Sequence, residues 1–94
     1  MSEPAVLRPR FVVGERAFAV VGDAWFDRAA GEWKGRAVFL PLDRSLPRGV
    51  SSDALASGVR RADVERRLRR VTDRALLTAF RAIPLPLPRR PRGR

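Results

Sequence analysis

The sequence predicts an α+β fold: a three-stranded antiparallel meander packed against one long C-terminal helix, followed by an extended basic tail. Three observations support this prediction. Apolar and polar residues alternate between 10 and 42, an apolar stripe with helical spacing runs through 60–82, and prolines and arginines dominate the last residues. We expect residues 1–83 to form a single small domain and residues 84–94 to form a disordered Pro/Arg-rich tail.

The first two predicted strands meet at a short loop. An apolar run ends at Gly14-Glu15, and a second apolar run begins at Arg16. A two-residue Gly-X loop between apolar runs is typical of a type II′ hairpin. This register places Phe11 opposite Phe18, and an aromatic cross-strand pair favours it.

A four-residue turn over 28–31 leads into the third predicted strand, over 32–42. This turn length places Phe26 opposite Trp33, and alternation then gives the sheet an aromatic-rich core face. The opposite face is small and apolar in its middle and is a candidate protein interface, with Ala17, Ala19, Val21, Val38 and Leu40 as its members. Gly22 and Gly35 interrupt the strands, which indicates bulges or close approaches.

The segment after the third strand is predicted to be a loop over 43–51. The following residues, 51–58, have the composition of a single helical turn, with a serine at its start and Gly58 at its end. Pro41, Pro47 and Gly49 break the strand pattern before this segment.

Residues 60–82 give the clearest helical pattern in the chain. Neither Gly nor Pro falls between Val59 and Ile83, and Pro84 ends the helix. If this helix divides in two, the break falls at Thr72-Asp73.

The charge of +10 lies mainly in the C-terminal part of the chain. Residues 11–58 carry six basic and six acidic side chains, whereas 59–83 carry eight arginines and three acids, and 84–94 carry four arginines and no acid. On a single helix, five arginines would share the side opposite the apolar stripe. The predicted anion or nucleic-acid contacts are these five and four of the tail: Arg66, Arg67, Arg70, Arg74, Arg81, Arg89, Arg90, Arg92 and Arg94.

Two interpretations of function remain open at this point. In the first, the chain is a non-catalytic binding or accessory module that docks a partner protein or forms a homodimer. In the second, it binds DNA or RNA without sequence specificity through its arginines, with Trp25 as a candidate for base stacking. A solvated helix face with no partner also accounts for the arginines, because local Asp and Glu side chains pair with some of them.

The composition argues against catalysis. The chain contains no Cys, no His and no Tyr, so the commonest general base, the commonest zinc ligands and a thiol nucleophile are all missing. We therefore expect no enzyme activity, no cofactor, no metal site and no small-molecule substrate. No apolar run is long enough to span a membrane and no secretory signal is evident, so a cytoplasmic location is expected.

The segment Trp33-Lys-Gly-Arg-Ala-Val-Phe-Leu-Pro-Leu-Asp43 resembles a W-x-G-x-x-x-F-x-P strand in a group of short bacterial proteins of unknown function. Residues 61–65 and 78–81 are similar to the helical stretch that follows in that group, so the resemblance covers residues 33–81. It implies strands followed by helix. In members of the group, a Gly and often a Pro near positions 70–73 divide the helix in two, whereas this chain has Arg70 and Asp73 there. The group has no assigned activity, so the resemblance implies no function.

Overall fold

The computed structural model describes residues 5–43 and 49–84, which form a five-stranded antiparallel sheet with two short helices packed on one face. The strands β1, β2 and β3 are adjacent in that order, and β3 also pairs with both β4 and β5. The prediction of three strands and one long helix is therefore wrong, because the described residues form five strands and two short helices. The elements are β1 (Ala5–Val13), β2 (Arg16–Asp27), β3 (Glu32–Pro41), β4 (Val50–Ser51), β5 (Ala56–Gly58), α1 (Arg61–Arg69) and α2 (Asp73–Ala82).

The two predicted turns of the meander are confirmed. Gly14 has a φ of 62°, and no described residue other than glycine has a positive φ, which fits a type II′ turn at Gly14-Glu15. Phe11 lies opposite Phe18 across this turn, and β2 and β3 pair without a register shift over their shared length. Alternation therefore assigns the two faces of β2 and β3 correctly.

The first strand begins earlier than the sequence predicts. β1 starts at Ala5, and its pairing with β2 shifts register on both sides of Arg8. These shifts, together with Pro9, break the two-residue alternation that identifies a strand in a sequence.

The predicted helical turn over 51–58 is wrong, because this segment supplies β4 and β5. The free edge of β3 offers unpaired backbone groups, and long-range pairing with them outweighs the weak helical composition. The backbone N–H of Ser52 donates to the Ala37 carbonyl at 2.9 Å, and that of Leu55 donates to the Gly35 carbonyl at 2.7 Å. The buried Ser52 hydroxyl accepts from the Ala37 N–H at 3.0 Å.

The segment predicted to form a single helix forms two, and the second begins at Thr72-Asp73, the position where the sequence placed any break. α1 ends at Arg69, and Thr72 has an extended backbone with a ψ of 160°. The Thr72 hydroxyl accepts a hydrogen bond from the Ala75 N–H at 3.1 Å, so it caps α2. A capping side chain competes with helix continuation, because it replaces the intrahelical partner of a backbone N–H.

Arg8 of β1 holds the junction between the two helices. Its Nε donates to Asp73 Oδ1 at 2.7 Å, and its Nη2 donates to the Val71 carbonyl at 2.7 Å. Its Nη1 donates to the Leu7 carbonyl at 2.7 Å, so all three guanidinium nitrogens are engaged. This contact spans most of the chain, and helical periodicity alone does not predict it.

The core lies between the sheet and the helices. Phe18, Phe39 and Phe80 form its aromatic centre, with the Phe80 ring centroid 4.9 Å from that of Phe18 and 5.0 Å from that of Phe39. Of the two alternatives predicted for Gly22 and Gly35, the structure shows close approaches, since a Cβ at either position would contact Leu68 of α1. The absence of side chains at these glycines lets α1 lie directly against β2 and β3.

Candidate binding surfaces

The side of the sheet opposite the helices, here called the outer sheet face, has an apolar middle. All five members predicted from the sequence lie on it: Ala17, Ala19, Val21, Val38 and Leu40. Sequence reasoning missed Val6 and Val12 of β1, which pair with Val21 and Ala17. Val6 is 61% exposed, Val12 54% and Leu40 40%, so the described residues leave this apolar strip accessible.

Ion pairs neutralise the rest of the outer sheet face. Arg36 Nε lies 2.9 Å from Asp23 Oδ2, and Lys34 Nζ lies 2.8 Å from Asp27 Oδ2. The hydrogen bond from Lys34, followed by one from the Ala30 N–H, lowers the pKa of Asp27 below its usual value. The same hydrogen bond to Asp27 raises the pKa of Lys34. Despite the large net charge of the chain, this face therefore carries no excess of basic groups.

Trp25 lies on the outer sheet face, where Arg36 covers its ring. The Arg36 Cζ atom is 5.1 Å from the Trp25 ring centroid, which is a cation–π contact. A nucleic-acid base would have to displace Arg36 from this side of the indole. The side of the Trp25 ring that Arg36 covers is therefore occupied by a contact within the chain.

The two helices and the residues between them, here called the helix layer, carry the basic surplus of the described residues. Its three acidic side chains are all engaged, Asp63 with Arg66 at 3.1 Å, Glu65 with Arg61 at 3.6 Å, and Asp73 with Arg8. Five exposed arginines of the helix layer have no carboxylate partner among residues 5–43 and 49–84: Arg67, Arg69, Arg70, Arg74 and Arg81.

The predicted arginine contacts are divided between the two helices. Arg66 and Arg67 lie on α1, Arg70 is its C-cap, and Arg74 and Arg81 lie on α2, so the premise that they share one helix axis is wrong. Arg67 Nη1 also donates to the Ser57 carbonyl at 2.6 Å. The four tail positions lie outside the described residues: Arg89, Arg90, Arg92 and Arg94.

A cleft of about 380 Å³ lies between β1 and the start of α2 and is here called the basic cleft. Arg8, Arg10 and Arg74 line it together with Asp73, and the buried Phe11 is among its apolar contacts. Sequence reasoning missed Arg10, because most of the excess of arginine lies in the C-terminal half of the chain and not in β1. The Arg8-Pro9-Arg10 segment, with two arginines two positions apart in a strand interrupted by proline, is the pattern that could have indicated this cleft.

Within the described ranges, no group of three or more His, Cys, Asp or Glu side chains is arranged to hold a metal ion. In the same part of the chain, no helix has both the length and the apolar character needed to cross a membrane. Comparison with protein-family models, with curated proteins and with solved structures finds no match to this chain.

Proposed function

We propose that this chain is a non-catalytic binding module that docks a protein through its outer sheet face, and that this partner is a second copy of the chain. The observation that carries the proposal is the accessible apolar strip that includes Val6, Val12 and Leu40. Contiguous exposed apolar surface marks interaction sites in proteins of this size. Its burial would contribute about 25 cal/mol for each Å² removed from water.

The distribution of charge favours a second copy as the occupant of this face. Two chains of charge +10 repel each other unless their basic groups stay apart. Two outer sheet faces packed about 10 Å apart would leave both helix layers on the outside of the dimer. The unpaired arginines of the two copies would then be separated by more than the Debye length of about 8 Å at physiological salt.

The ion pairs of the outer sheet face also support this arrangement. Asp23–Arg36 and Asp27–Lys34 are already formed within one chain, so the approach of a copy leaves none of these four charges without a partner. An acidic partner protein would instead be attracted to the helix layer, where the surplus positive charge lies.

The test compares two variants with the same change of chemistry. Val21 lies opposite Val38 in the middle of the outer sheet face, whereas Val59 is 85% exposed and follows β5. Light scattering should give a dimer for the unaltered chain and for Val59→Glu, and a monomer for Val21→Glu. Circular dichroism should show that all three are folded. Equal dimerisation of Val21→Glu and Val59→Glu would contradict the proposal.

Nucleic-acid binding is the second candidate function, and it is favoured by four arginines of the helix layer whose side chains have no hydrogen-bond or ion-pair partner among the described residues: Arg69, Arg70, Arg74 and Arg81. Each phosphate that they neutralise would lower the logarithm of affinity by about 0.9 per log unit of salt. Arg70→Gln with Arg81→Gln should reduce this slope more than Arg16→Gln with Arg28→Gln, which removes equal charge at the two sheet turns. Equal slopes for the two variants would assign the binding to net charge alone.

A further inference from the structure

We propose that the basic cleft binds an organic phosphate, meaning a phosphate or diphosphate group carried on an aromatic or apolar body, with Arg10 and Arg74 as the two side chains that hold the anion. Val12 of the outer sheet face also lines the cleft, so the site lies beside the edge of the proposed dimer interface. The inference rests on three observations: the charges that line the cleft, its apolar lining, and the position of β1 at the edge of the described sheet.

The positive charge of the basic cleft comes from Arg10 and Arg74. Asp73 also lines the cleft, but its carboxylate already accepts the Nε hydrogen bond of Arg8 at 2.7 Å, so these two charges compensate each other. Arg10 and Arg74 are exposed and have no carboxylate partner among the residues that the structure describes. Two guanidinium groups that line one cleft, one from β1 and one from α2, suit the tetrahedral oxygens of a phosphate.

The fold fixes the backbone positions from which these two arginines extend. Arg10 comes from β1, and Arg74 comes from the first turn of α2. Arg8 ties those two elements together through Asp73 and the Val71 carbonyl. Because Arg8 holds both walls, the cleft needs little rearrangement to receive an anion, which reduces the entropic cost of binding.

The position of β1 explains how a charged and an aromatic residue adjacent in sequence line the same cleft. Within a strand, neighbouring residues point to opposite faces of the sheet. β1 is an edge strand of the described sheet, and the cleft lies along this edge, so residues of both faces border it. Arg10, Phe11 and Val12 all line the cleft.

The apolar lining favours a small organic phosphate over a nucleic-acid backbone. Phe11 and Leu77 line the cleft beside the arginines, and a concave site that combines apolar walls with a few polar groups is typical of small-ligand binding. A nucleic-acid backbone, in contrast, is followed by charges spread along an open surface. Arg69 and Arg81, which are not among the residues that line the cleft, fit that second description better.

The test uses the full chain with ADP and inorganic pyrophosphate as probes, titrated by isothermal calorimetry in buffer free of phosphate and sulfate. We expect saturable binding of both probes, and tighter binding of ADP because its base and sugar contact the apolar lining. Arg10→Gln with Arg74→Gln should weaken ADP binding by at least about tenfold, since it removes charge-assisted hydrogen bonds.

The control is Arg28→Gln with Arg60→Gln, which removes the same charge from exposed positions outside the cleft and should leave ADP binding unchanged. Equal weakening by the two double variants would overturn the proposal, because net charge would then explain the binding. Equal affinity for ADP and pyrophosphate would overturn the role of the apolar lining. If neither probe binds while a single-stranded oligonucleotide does, and the cleft variant weakens that binding, the site belongs to nucleic acid instead.

Discussion

Gly35→Ala tests whether α1 lies against β3 as described. A Cβ at position 35 would lie 2.5 Å from Val64 Cγ1 and 2.8 Å from Leu68 Cδ1. Favourable carbon contacts begin at about 3.5 Å, so the new methyl group overlaps both side chains. Val64 is 0% exposed and Leu68 is 1% exposed, so neither can move into solvent without shifting α1.

The expected loss of stability follows from two opposing effects. Overpacking of a filled core costs about 1–3 kcal/mol. Replacing glycine by alanine also restricts the unfolded chain, which stabilises the fold by about 0.4–1 kcal/mol. We therefore expect Gly35→Ala to lower the free energy of unfolding by about 1–2 kcal/mol, measured by urea titration with circular dichroism.

Gly58→Ala is the matched control for this experiment. Its Cβ would lie 3.5 Å from Val64 Cγ2, an ordinary contact, and its φ is compatible with alanine. This variant should be as stable as the unaltered chain or slightly more stable. If Gly35→Ala and Gly58→Ala have the same midpoint of unfolding, α1 does not occupy the position described, and the helix layer is not seated on this sheet.

Three further predictions test other contacts of the fold. Thr72→Ala should lower the free energy of unfolding by about 1 kcal/mol because it removes the cap of α2, whereas Thr72→Asn should restore most of it; equal losses in urea titrations would argue against a capping role. Ser52→Ala should cost about 1–3 kcal/mol, since it removes the acceptor of the Ala37 N–H, and an unchanged midpoint of unfolding would contradict this. The pKa of Asp27 is lowered in the fold, so its ion pair with Lys34 stabilises the protein at neutral pH and loses this effect as the pH falls through the folded pKa. In an NMR titration, Lys34→Gln should raise the pKa of Asp27, and an unchanged value would refute the assignment.

Local sequence patterns predicted the central part of the sheet. The Gly14-Glu15 turn and the four-residue turn over 28–31 fix the registers of three strands, and alternation then assigns their faces. Gly22 and Gly35 were predicted to mark either bulges or close approaches, and the structure shows close approaches to α1. These features depend on residues near one another in sequence, and local rules therefore capture them.

The features that sequence reasoning missed depend on distant contacts. β4 and β5 form because the edge of β3 supplies pairing partners for a segment with weak preferences of its own. The helix break combines a local cap at Thr72 with a clamp from Arg8, and only the cap is visible in the sequence. The basic cleft likewise joins β1 to α2, so charge counts along the chain did not reveal it.

Sedimentation equilibrium of the unaltered chain over a range of concentrations tests the central claim most directly. If the outer sheet face joins two copies, the average mass should rise from 10.5 kDa towards that of a dimer, while Val21→Glu should remain at the mass of one chain. A mass that stays at 10.5 kDa up to high micromolar concentration would contradict the claim.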